Sequence, residues 1–92
     1  MYGICVTECW ITEKLVSNPL IMSQGIPIEE EPKWLFKDVE SAVIAMKDEY
    51  KEKLYKIPEN NGISCLLCFV VNKLGEVVAA LDFNGNILMN ER

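Results

Sequence analysis

Histidine is missing altogether from the 92 residues of this chain, and the consequences are chemical. Without it the chain has neither the commonest general base nor the residue that completes most Ser or Cys nucleophile systems. A zinc site would have to use all four cysteines, since no imidazole exists to help. Glycine is sparse, and no Gly-rich phosphate loop or nucleophile elbow occurs. No apolar run reaches the roughly 18 residues that a membrane-spanning helix needs. Catalysis is therefore not expected, nor is a cofactor.

Basic residues are also in deficit. Nine Lys and Arg stand against 14 Asp and Glu, a formal charge of -5. Such a field repels nucleic-acid phosphate and anionic lipid, so neither direct nucleic-acid binding nor membrane association is expected. It would attract a protein with a basic surface. The opening "MYGICVTECWITEKLV" has no basic n-region, and Glu8 and Glu13 interrupt its apolar residues. No secretory leader is read there, and a cytoplasmic protein with its cysteines as thiols is the expectation.

What is present reads as one domain, residues 1–92, without internal repeats or a linker. Residues 2–13, "YGICVTECWITE", are rich in β-branched and aromatic types and predict a first strand, with Tyr2, Ile4 and Val6 on one face and Cys5, Thr7 and Cys9 on the other. Residues 14–33 are punctuated by Pro19, Gly25, Pro27 and Pro32, and within them "LIMSQ" reads as a short second strand. "KWLF" is an extended lead into a helix starting near Asp38. That helix runs through "KDVESAVIAMKDEYKEKLYK", with Val39, Val43, Met46, Tyr50 and Leu54 forming one apolar stripe. Acids at its start and Lys51, Lys53 and Lys56 toward its end match the macrodipole, and Pro58 stops it.

The remainder predicts a β-meander: "ISCLLCFVVN", then "VVAALDF", then "NILMN". Asn84-Gly85 between the last two suggests a type I′ hairpin turn, in which both central residues take positive φ, and Gly75 offers similar freedom in the turn before. The expected fold is thus α+β, an antiparallel sheet of four to five strands in the order β-(β)-α-β-β-β, packed on one long amphipathic helix.

Cys65 and Cys68 make a C-x-x-C spacing, but they lie in a β-branched run, and strand positions three apart fall on opposite faces. No helix follows to stabilise a thiolate as in redox pairs. Four-cysteine zinc and thiol-redox chemistry are the weaker readings; buried cysteines acting as small hydrophobes are the stronger one.

Two features ask for more. The strand from Ile63 to Val71 is apolar on both faces, with Cys65, Leu67, Phe69 and Val71 on one and Leu66, Cys68 and Val70 on the other. One helix covers only one face, so the other needs the segment around Leu20 to Ile28, a second copy of the chain, or a partner. The second feature is the acidic run Glu29, Glu30 and Glu31 between Pro27 and Pro32, with Trp34 just behind it. Its plain reading is a solvated loop; its functional reading is an aromatic-anchored recognition loop for a basic surface.

The expected role is protein–protein binding, of an inhibitor, immunity or antidote type, through Glu29, Glu30, Glu31, Trp34, Leu66 and Val70. The alternative is a homodimer binding a small ligand between its sheets.

Overall fold

The computed structural model describes residues 1–10, 17–25, 32–50, 55–56 and 64–90. Strand β1 is Tyr2–Trp10, helix α1 Pro19–Gln24, strand β2 Lys33–Phe36, helix α2 Val39–Tyr50, and strands β3 to β6 are Tyr55–Lys56, Ser64–Val71, Val77–Leu81 and Ile87–Met89. The fold is α+β. All pairings among the described residues are antiparallel. The sheet runs β2-β1-β4-β5-β6, with β3 paired to the start of β4.

The order follows from apolar content. β4 takes the middle because it has no polar face to offer water: Leu67, Cys68, Phe69, Val70 and Val71 are each at most 2% exposed. Successive strand residues point to opposite sides, so both faces of β4 from Leu67 to Val71 are covered by this chain alone. Its partner β1 matches it without a bulge from Gly3 opposite Val71 to Trp10 opposite Ser64. On the other side Phe69 faces Ala80 and Val70 faces Ala79, and the register shifts between Val70 and Val71. Ala42, Val43 and Met46 of α2 join these strand residues in one core.

Two helices, not one, pack on β4 and β5 among the described residues. The expected second strand at "LIMSQ" is instead α1. Pro19 stands in its first turn, where a missing N–H costs nothing. Ser23 is buried and donates its hydroxyl to the Leu20 carbonyl at 2.7 Å, which lets a polar side chain enter the core. Leu20 and Met22 pack beside it.

The single long helix is likewise corrected. α2 starts where predicted: the Ser41 N–H donates to Asp38 Oδ1 at 2.7 Å, an N-cap. Its 12 described residues end at Tyr50. Tyr55 and Lys56 are strand, paired with Cys65 and Ser64, so no helix reaches Lys56. Leu54, the last predicted member of the stripe, lies outside the described residues, as do Ile11 to Glu13 of the predicted first strand.

The hairpin turns share one construction that differs from the predicted type I′ turn. No non-glycine residue among those described has positive φ, while Gly75 and Gly85 stand at 80° and 86°. In the first turn the Gly75 N–H donates to the Asn72 carbonyl and the Asn72 N–H to the Glu76 carbonyl. In the second the same two bonds link Gly85 to Asp82 and Asp82 to Asn86. Only one residue per turn needs left-handed backbone, and it is glycine.

Candidate functional site

The predicted contact residues do not assemble into one surface. Glu29, Glu30 and Glu31 lie outside the described residues. Trp34 is in β2, at one edge of the sheet, opposite Gly3 of β1. Val70 sits in the centre between Ile4 and Ala79 and is fully buried. It cannot touch a partner in this fold, and the side carrying Cys68 and Val70 needs no second molecule to cover it. Leu66 is half-buried and packs against the core.

On the outward face of α2, Ile44 is the residue that sequence reasoning passed over. Ile44 is 56% exposed although its helix carries a buried stripe. Glu40 and Asp48 stand four residues before and after it, on the same side of the helix, and both are exposed. Ser41, Lys47 and Glu49 are exposed beside them. The signal was in the sequence: Ile44 is the large apolar residue of "VESAVIAM" that falls off the stripe.

Electrostatics around α2 follow from local bonds. The Asp38 carboxyl is held below the usual aspartate range, chiefly by the backbone N–H of Ser41 and then by the Ser41 hydroxyl. At the other end the Tyr50 phenol is raised by burial, then by the negative charge of Glu49 and by the nearby Cys68 thiol. Burial pushes the Cys5 thiol up as well, which lowers its thiolate fraction and its reactivity.

A groove of about 380 Å³ lies where Gln24 of α1 meets Gly75, Glu76, Val77 and Asn90. Two of its polar side chains are already hydrogen-bonded. The Asn90 amide donates to the Val77 carbonyl at 2.8 Å, and Glu76 Oε1 accepts from the Asn72 amide at 3.2 Å. Glu76 is the one carboxylate in that lining.

Among the described residues, no three His, Cys, Asp or Glu converge on a point that would hold a metal ion. No buried side-chain N or O there lacks a hydrogen-bond partner. The C-x-x-C spacing is split by the sheet: Cys65 is opposite Cys9, and Cys68 is opposite Val6. No described helix is long and apolar enough to cross a membrane. No family model, no curated protein and no solved structure matches the chain.

Proposed function

We propose that this chain acts by binding another protein through an acidic surface, in the manner of an inhibitor, immunity or antidote factor for a basic target. The observation that carries the reading is the outward face of α2, where Ile44 stands exposed between Glu40 and Asp48 on a chain of formal charge -5. An exposed aliphatic side chain flanked by carboxylates has the form of a small interface, an apolar contact with a charged rim. The rim speeds encounter with a basic surface and sets its orientation; the apolar contact supplies hold.

The acidic run Glu29–Glu31 supports the same reading from sequence. It immediately precedes β2, and β2 packs against α2. Trp34 of that strand remains part of the proposal; Val70 does not, being buried. Binding is favoured over catalysis because the whole sequence lacks histidine.

The test is affinity capture with the immobilised chain from lysate of its source cells, at low and high salt. Two variants serve as comparison, Glu40→Lys with Asp48→Lys, and Glu29, Glu30 and Glu31 all replaced by Lys. A captured basic protein that is released by salt and lost on charge reversal supports the reading. A partner retained equally by both variants at high salt overturns it.

A further inference from the structure

The β1–β4 pairing places Cys9 directly opposite Cys65. We propose that these two form a cross-strand dithiol that a small-molecule disulfide oxidises to an intrachain disulfide, making the pair an oxidative modification site.

Register is what carries this. Direct partners in an antiparallel pair have Cα atoms about 4.5 or 5.5 Å apart, depending on the pair type. Both separations fall inside the roughly 4.4–6.8 Å that a disulfide spans. The eight pairs from Gly3 opposite Val71 to Trp10 opposite Ser64 run without a shift, so the juxtaposition is not a local accident.

No other couple in the chain is so placed. Cys5 faces Phe69, and Cys68 faces Val6. Cys5 and Cys9 are four residues apart along one strand, about 13 Å at the rise of a β-strand, and Cys65 and Cys68 about 10 Å. Neither distance can be bridged.

The exchange balances without a further reagent. The thiolate of one cysteine attacks a sulfur of the small disulfide, releasing one small thiol and leaving a mixed disulfide. The second cysteine's thiolate attacks the protein sulfur of that mixed bond and releases the second small thiol. The two cysteines are oxidised, the reagent disulfide is reduced to two thiols, and the cysteine protons end on those thiols. The new bond ties β1 to β4 and closes a loop that contains α1, β2, α2 and β3. Restricting so long a loop in the unfolded chain raises stability.

The experiment uses the full reduced chain incubated with oxidised glutathione, then unfolded in denaturant with the alkylating reagent, digested and mapped by mass spectrometry without reduction. The expected product is a monomer with one Cys9–Cys65 bridge, alkylated Cys5 and Cys68, and a raised Tm that returns to its starting value with reductant. Cys9→Ser and Cys65→Ser each remove the bridge, and Cys5→Ser keeps it. A bridge joining any other pair, an intermolecular disulfide, or four alkylated cysteines in the wild-type chain overturns the proposal. The wild-type map alone decides between these outcomes, even if a variant fails to fold.

Discussion

Asn72 and Asp82, ten positions apart, perform the same task in successive turns. Asn72 Oδ1 accepts the backbone N–H of Leu74 at 2.9 Å and of Glu76 at 3.0 Å. Asp82 Oδ1 accepts those of Asn84 at 2.9 Å and Asn86 at 2.8 Å. Each oxygen gathers the amides that the turn itself leaves unpaired. Ala at either position is expected to cost about 1–2 kcal/mol, read as a lower urea midpoint at unchanged m value.

The two positions differ when only the end group is exchanged. Asp82→Asn keeps the accepting oxygen and should be nearly neutral. Asn72→Asp keeps the oxygen too, but it removes the amide that donates to Glu76 Oε1 and sets a carboxylate against a carboxylate. It should destabilise measurably, and less so at high salt, which screens the repulsion.

The glycines of these turns give a second prediction. Gly75 and Gly85 hold φ of 80° and 86°, where a Cβ is strained. Gly→Ala at either is expected to cost about 1–2 kcal/mol, and Gly→Asn less, because Asn tolerates left-handed backbone. Thermal unfolding of the four variants gives the order directly.

This turn chemistry was half legible. Asn84-Gly85 announced a hairpin, and a hairpin is there. The two-residue turn does not form because the Asp82 side chain, two positions earlier, fixes a longer loop with Asn84 at negative φ. The pattern Asn72-x-x-Gly75 is the same signal one strand earlier. A short apolar run such as "LIMSQ" has no decisive period, and local chemistry decides it: Pro19 at the start and Ser23, able to bond back to Leu20, both suit a helix.

The centre of the sheet was the most legible part, since a run apolar on both faces can only be buried on both. What covers it was not legible from β4 itself. The end of α2 was hidden by arithmetic: Leu54 continues the helical stripe, but Tyr55 and Lys56 join β4 through backbone pairing that no side-chain period reveals. The exposed Ile44 of α2 was less legible because a helical period points to the buried stripe and not to the one large apolar residue outside it.

Asp38 gives a pH prediction. Its carboxyl is lowered by the two Ser41 bonds. A carboxylate whose folded value lies below its unfolded one stabilises the fold at pH above the unfolded value, and that contribution vanishes as pH falls through the folded value. Asp38→Asn retains a capping oxygen and should lose this part of the acid sensitivity. Asp38→Ala should lower Tm at neutral pH and converge on wild type in acid. Tm followed downward from neutrality through the aspartate range checks both.

Val70 separates packing from binding. It is fully buried between Ile4 and Ala79, so Val70→Ala removes core contacts and leaves a cavity. The expected loss is roughly 2 kcal/mol in chemical denaturation. Partner affinity of the folded fraction should be unchanged. An affinity loss in well-folded Val70→Ala protein would contradict the burial.

Ile44 is the complementary case, and it isolates the proposed surface from the fold. At 56% exposure it contributes little to the core, so Ile44→Ser should shift stability by no more than about 0.5 kcal/mol. If the side chain is the apolar contact of a small interface, the same change should weaken binding of the captured partner about tenfold or more, mainly through faster dissociation. Glu40→Gln and Asp48→Gln should behave differently, slowing association and flattening its salt dependence while leaving dissociation nearly unchanged. Surface plasmon resonance on the three variants distinguishes these signatures. Equal kinetics for Ile44→Ser and wild type would remove this face of α2 from the interface and leave the acidic run before β2 as the remaining contact.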